Sequence, residues 1–248
     1  MTRPAKPNSE GFTLTELLMV VVIVALLASL LVVPLRGARS RAQSVACKNL
    51  LRQIGYGLQM YVHDHQAYPP LGDSEDRIYC FDRLSPYYPL NWTNLSWNCP
   101  SYVSKRGVVS RDLVAEYVVG ISYAYNASGC KVRGLPEPAI SLRLGLGGLR
   151  TEQGGVAVPS EMYAVADARC IKCTQAFAGC IRMVCWSLSG EVPPVHGEGY
   201  NLAFCDGHVG FVLRKNYLYP PRSAANWNND HQPHAEAWAP RGKWAVQE

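Results

Sequence analysis

The longest apolar run of the chain lies near its start. Residues 17–33 read LLMVVVIVALLASLLVV, in which Ser29 is the single polar residue, and Phe12 and Leu14 extend the apolar character backwards. As an α-helix, residues 12–35 would measure about 36 Å, which exceeds the roughly 30 Å of a hydrocarbon layer. We therefore predict a transmembrane and assembly helix over residues 12–35, with a polar leader peptide at residues 1–11. A buried core helix and a secretory signal peptide are the alternatives.

A second apolar pattern follows Pro34 at helical spacing. It predicts an amphipathic stem helix over residues 36–65, which Tyr68-Pro69-Pro70 ends because proline restricts the residue before it. A dimerising helix is the alternative. The positions of the apolar stripe are Ala42, Ala46, Leu50, Ile54, Leu58 and Val62, with Val45 and Tyr61 beside them.

From residue 66 the pattern changes to short runs broken by Gly, Pro, Asn and Asp, which predicts a globular β-rich head over residues 66–221. Residues 116–125 and 161–167 are typical of strands. Residues 200–205 and 208–212 predict a hairpin, since Asp206-Gly207 suits a two-residue type I′ turn. The tail, residues 222–248, is expected to be mobile, unless its Trp side chains dock onto the head.

Composition and charge narrow the class of protein. With 48% hydrophobic and 17% charged residues, the chain has enough apolar side chains for a core, which excludes disorder as its general state. The net charge of +5 is concentrated in the first 65 residues, so the head is close to neutral. This balance argues against a nucleic-acid partner.

Glu16 is the anomaly of the apolar segment. A carboxylate at the entrance of an apolar helix is costly unless it is paired. If the chain were cut after Gly11, the new α-amino group of Phe12 would offer such a partner, in the same chain or in a neighbour.

The segment Gly11-Phe12-Thr13-Leu14-Thr15-Glu16-Leu17-Leu18 resembles the processing site of type IV prepilins and of type II secretion pseudopilins. The resemblance implies that a prepilin peptidase cuts after Gly11 and methylates the amine of Phe12. It also implies that Glu16 neutralises the amino terminus of a neighbouring subunit during fibre assembly. The protein would then be a structural subunit rather than an enzyme.

The same resemblance implies a location and partners. The protein would cross the inner, cytoplasmic membrane once, with a cytoplasmic amino terminus and an exported head, and then enter a periplasmic or extracellular fibre. Its partners would be the lipid bilayer, other pilin or pseudopilin subunits and the inner-membrane assembly machinery. Residues 47–55 resemble a pseudopilin stem, which implies an α+β fold with the long amino-terminal helix packed on a small antiparallel sheet.

His196, followed by nine residues and then Asp206-Gly207, resembles the H-x9-DG motif of prepilin-like proteins. One interpretation places a cation, calcium, at Asp206 and Asp167, because hard cations prefer oxygen ligands. The other, which we favour, is that Asp206 caps its own turn and His196 bonds across the hairpin. We therefore expect no cofactor.

Nine cysteines form the last candidate set. Cys47 lies on the stem, and an exported head sits in an oxidising space, where cysteines mostly pair. We expect long disulfide-rich loops, of undetermined connectivity. Zinc at Cys170, Cys173, Cys180 and Cys185 is a less favoured alternative because the spacing is short for a zinc module. The disulfide candidates are Cys80, Cys99, Cys130, Cys170, Cys173, Cys180, Cys185 and Cys205.

The sequence thus predicts a subunit of a type IV pilus or a type II secretion pseudopilus. One rival is a membrane-tethered head that binds a metal or acts as an enzyme through its Cys, His and Asp residues. Another is a DNA-uptake pilin, against which the near-neutral head argues.

Overall fold

The computed structural model describes residues 12–70, 80–88, 98–102, 122–127, 129, 144–151, 155–167, 194–217 and 220–235. The chain forms two compact units, Met1–Ala42 and Gln43–Glu248. A long amino-terminal helix and a small antiparallel sheet are both present, which confirms the predicted α+β class. The predicted strand residues 116–121 lie outside the described part.

Helix α1 extends from Leu14 to His65, so the two helices predicted from the sequence are one element of 52 residues. Within the described residues, no helix combines the length and the apolar character needed to cross a membrane. The helix ends with Gln66 in the left-handed region, at a φ of 50°, and the Gln66 side chain donates a hydrogen bond to the carbonyl of His63. A left-handed residue at this position is a common way to end a helix.

The described part of the second unit contains four strands: β1 (Ala124–Tyr125), β2 (Tyr163–Ala166), β3 (Gly199–Phe204) and β4 (Val209–Leu213). They pair in sequence order, and each neighbouring pair is antiparallel. Short helices accompany them, among them α2 (Cys80–Leu84), α3 (Arg214–Tyr217) and α4 (Pro220–Trp227).

The residues of α1 that belong to the second unit pack in one core with side chains of the sheet, as the resemblance implied. The buried face of the helix comprises Cys47, Leu51, Ile54, Leu58 and Tyr61. The spacing alternates between four and three residues and follows the helical repeat of 3.6. The predicted stripe with a constant four-residue step is therefore wrong at its start, where Ala46 and Leu50 are only half buried.

A second core contains the alternate residues of β3. Tyr200, Leu202 and Phe204 share this core with Tyr217 and Trp227, whereas Ala203 belongs to the first core. This alternation is the period of two that a strand imposes on its side chains. Strand β3 therefore links the helix-side core to the core formed with α3 and α4.

The hairpin of β3 and β4 forms as predicted, but its turn differs. The Gly207 N–H donates to the Phe204 carbonyl, and Gly207 alone has a positive φ, of 90°, whereas a type I′ turn needs positive values at both central residues. The loop is the longer form, in which a tight turn is followed by a left-handed glycine. The type I′ prediction is wrong because Asp206 does not adopt the left-handed conformation.

The first residues after Arg222 are packed into the head. Trp227 is completely buried, its indole N–H donates to the Tyr217 carbonyl, and its own carbonyl accepts from the Asn126 side chain. The sequence left open whether the tail is mobile or whether its Trp side chains dock onto the head. Trp227 is docked. Residues 236–248 of the predicted tail lie outside the described part.

Candidate functional site

The start of α1 carries two of the predicted processing and assembly residues. Gly11 lies outside the described residues, and Phe12 is 73% exposed. The Glu16 carboxylate accepts hydrogen bonds from the Thr13 backbone N–H, at 2.9 Å, and from the Thr13 hydroxyl, at 2.7 Å. In return, the Glu16 backbone N–H donates to the Thr13 hydroxyl at 3.4 Å, so the two residues form a capping box, the reciprocal pair that begins many helices.

This pairing gives Glu16 a partner inside its own chain. The T-x-x-E pattern that specifies it stands in the sequence, and our sequence analysis missed it. The prediction that Glu16 meets an amine of another subunit stays a prediction, and it must now account for the bonds to Thr13.

The turns after the capping box expose apolar side chains on every side of the helix. Eight consecutive residues, Leu17 to Val24, each have at least 49% of their surface exposed. A helix that is apolar all round is stable only where a lipid or protein environment surrounds it. The segment is thus suited to burial against other molecules over its whole circumference.

The H-x9-DG residues belong to separate hydrogen-bond networks. The Asp206 carboxylate caps its own turn, since it accepts from the His208 backbone N–H and contacts the His208 ring at 2.6 Å. His196 is buried and contacts Cys99, Ser101 and Asp167 instead. Asp206 is exposed and Asp167 is buried, so the calcium site at these two residues stays a prediction. The cap predicted for Asp206 is observed.

The most distinctive cluster of the head is formed by Cys47, Cys99, Asp167 and His196, which we call the buried quartet. All four side chains are buried, and their four potential ligand atoms lie within 4.8 Å of one another. Cys99 Sγ lies 3.0 Å from His196 Nε2, which is 3.2 Å from Asp167 Oδ2. The fourth residue, Cys47, places its Sγ 3.5 Å from the same oxygen.

Surrounding polar groups hold the quartet in place. Asn201 donates to Asp167 twice, from its backbone N–H to Oδ1 at 3.0 Å and from its amide to Oδ2 at 3.1 Å. The Ser101 hydroxyl lies 3.2 Å from His196 Nδ1, and the Tyr123 hydroxyl donates to Cys47 Sγ at 3.5 Å. Cys47, Asp167 and His196 thus each have a side-chain partner outside the quartet. Cys99 is held through its backbone, whose N–H donates to the Ser122 hydroxyl.

The environment shifts the pKa values of three members. The hydrogen bond from Cys47, and to a smaller extent His196, lowers the pKa of Cys99 against the opposing effect of burial. Burial raises the pKa of Asp167 to about 7, and burial also raises the pKa of Cys47. The pKa values of the two thiols are thus shifted in opposite directions.

The cysteines differ from the predicted disulfide set. Cys47, Cys99 and Cys205 are buried thiols and not halves of disulfides, and Cys80 is buried as well. The disulfide prediction is therefore not met at Cys99 and Cys205. The remaining candidates, and with them the alternative zinc set, lie outside the described residues: Cys130, Cys170, Cys173, Cys180 and Cys185.

Known proteins resemble this chain near its amino terminus and over one short stretch. Residues 6–32 match the prokaryotic N-terminal methylation motif. Over 61 residues, the chain is 39% identical to the type IV wide pilus major component PilA4 of Thermus thermophilus, a match that covers 25% of this chain and 47% of that protein. No solved structure matches. The chain thus carries a prepilin-type methylation motif and is similar in part to a type IV pilin, of which it spans about half the length.

Proposed function

We propose that this protein is a structural subunit of a type IV pilus or of a related pseudopilus. The prepilin peptidase would cut after Gly11 and methylate Phe12, and the inner membrane would hold the apolar part of α1 until assembly. The observation that carries the proposal is the all-round exposure of apolar side chains behind the capping box, within the matched methylation motif.

Assembly removes this exposed apolar surface from water or lipid by packing α1 against the same helix of other subunits. Glu16 supplies register, because a carboxylate in such a bundle is tolerated only where a cation meets it. The methylated amine of Phe12 in a neighbouring subunit is that cation. Glu16 then exchanges its bonds to Thr13 for a charged partner.

Three variants separate the charge of Glu16 from its capping role. Glu16→Gln removes the charge but retains the capping box, because either glutamate or glutamine can occupy the third helical position of this motif. Glu16→Ala removes both, whereas Thr13→Ala removes the hydroxyl that bonds to Glu16 and leaves the charge. Each variant is expressed in the native host, cleavage is followed by mass spectrometry, and the sheared fibre fraction is quantified.

We expect all three variants to be cleaved. The two Glu16 variants should be lost from fibres at least tenfold, and Thr13→Ala should assemble with at most a modest loss. Normal fibres from Glu16→Gln would contradict pairing through charge and leave the helix cap as the whole role of Glu16.

A further inference from the structure

We propose that the buried quartet, Cys47, Cys99, Asp167 and His196, binds one zinc ion that holds the second unit of the chain together. The four residues come from four separate places: α1, the segment 98–102, the end of β2 and the segment before β3. The site shares His196 with the H-x9-DG motif but does not include Asp206, and none of its residues belongs to the predicted Cys170–Cys185 set.

The distances fit a tetrahedral ion. Zinc bonds of about 2.0–2.3 Å to nitrogen, oxygen and sulfur place neighbouring ligand atoms about 3.3–3.8 Å apart. Three of the six separations are 3.0 Å between Cys99 and His196, 3.2 Å between His196 and Asp167, and 3.5 Å between Cys47 and Asp167, and all six lie within 4.8 Å. A small inward or outward adjustment of side chains is enough to match the ion.

The same four atoms can be held by protons or by a cation. His196 Nε2 carries at most one hydrogen, so it can donate to only one of its two neighbours, the Cys99 sulfur and the Asp167 oxygen. Once the thiols have lost their protons, the converging ligand atoms repel one another unless a cation lies between them. A divalent ion compensates the thiolate and carboxylate charges that burial otherwise penalises.

The donor set selects the metal. Two thiols and an imidazole suit zinc, whereas calcium and magnesium require mostly oxygen ligands. Four protein ligands fill a tetrahedral shell and leave no position for a substrate, which is the arrangement of a structural rather than a catalytic zinc site.

The groups around the quartet resemble the outer shell of a metal site. Ser101 contacts Nδ1 of His196, so Nε2 is the nitrogen turned towards the centre. Asn201 engages Oδ1 of Asp167 and thereby orients Oδ2 to the same centre. Such partners fix ring tautomers and carboxylate orientation in metal sites.

The test uses the full-length chain, purified in detergent micelles and supplied with zinc chloride alone. Bound metal is measured by mass spectrometry after dialysis, in the wild type, in Cys99→Ser and in Cys205→Ser, whose buried thiol lies outside the quartet. We expect one equivalent of zinc in the wild type and in Cys205→Ser, and one equivalent less in Cys99→Ser. Chelation should lower the wild-type melting temperature by on the order of 10 °C.

Two further measurements keep the proposal falsifiable if Cys99→Ser fails to fold. Cobalt in place of zinc should give the intense visible bands of a tetrahedral ion with sulfur ligands in the wild type, and Asp167→Asn should alter them. Wild-type protein without zinc, full zinc retention by a folded Cys99→Ser, or a Cys47–Cys99 disulfide in the native peptide map would each overturn the proposal. None of these results bears on fibre assembly, so failure here is distinguishable from failure of the proposed function.

Discussion

The proposed assembly gives the Glu16 carboxylate different partners before and after fibre formation. In the single chain it completes the capping box with Thr13. A cap of this kind is worth about 0.5–2 kcal/mol, whereas an unpaired charge inside an apolar bundle costs more. The bonds to Thr13 are therefore weak enough to be exchanged for a cationic partner when the helix is buried.

At the same scale, Asn201 is predicted to be a structural residue that orients Asp167. Replacement by alanine removes the amide hydrogen bond to a buried carboxylate, so we expect a loss of about 1–3 kcal/mol in the free energy of unfolding. Denaturant unfolding of the full chain measures it. Asn226→Ala is the control, because the exposed Asn226 amide also makes one hydrogen bond, to the Glu161 carbonyl, and should cost less than about 0.5 kcal/mol. Equal losses in both variants would contradict this role for Asn201.

At the scale of elements, the helical repeat decides which face of α1 is buried. Each step of four residues overshoots one full turn of the helix by about 40°. Side chains at a constant four-residue spacing therefore move gradually around the helix and away from its buried face. Leu51 is completely buried, while Val45, a residue placed beside the predicted stripe, is 58% exposed. The pattern predicted a helix correctly and its face only in part.

Substitutions on the two faces should differ accordingly. We expect Leu51→Ala to reduce the free energy of unfolding by about 2–5 kcal/mol, because it leaves a cavity between α1 and the sheet. Val45→Ala should change it by less than about 0.5 kcal/mol. Denaturant unfolding of both variants is the measurement, and a larger effect at Val45 would show that the buried face is assigned incorrectly.

The turn between β3 and β4 makes a second prediction for an element. At Gly207, φ is 90°, and an added Cβ would lie 2.7 Å from the Gln59 amide nitrogen. Gly207→Ala should therefore cost about 1–3 kcal/mol. The control is Gly37→Ala in α1, where an added Cβ meets nothing within 4 Å and helix propensity favours alanine. A stabilised Gly207→Ala protein would rule out this account of the turn.

At the scale of the whole molecule, local patterns predicted the elements, whereas the buried quartet depends on tertiary structure. The hairpin and the long helix are encoded by neighbouring residues, so the sequence was sufficient for them. Cys47 and His196 lie 149 positions apart in the printed sequence, and no local spacing relates them. The position of Cys47 four residues before Leu51, on the apolar side of the helix, was the one local signal that it faces the core.

The sequence also suggested the wrong partners for several polar residues. Asp206 and Asp167 were grouped because hard cations prefer oxygen ligands, but the antiparallel register places Asn201, not Asp206, opposite Asp167. Cys99 was expected to form a disulfide because the predicted compartment is oxidising. Its burial beside Cys47, His196 and Asp167 gives it other partners.

The central claim is that this chain is a processed fibre subunit, and the amino terminus of the protein inside fibres tests it most directly. Fibres sheared from cells of the native host should contain the chain, and tandem mass spectrometry of its first peptide should show N-methylated Phe12 as the first residue. Recovery of the chain only as a monomer, with residues 1–11 still attached, would contradict the account.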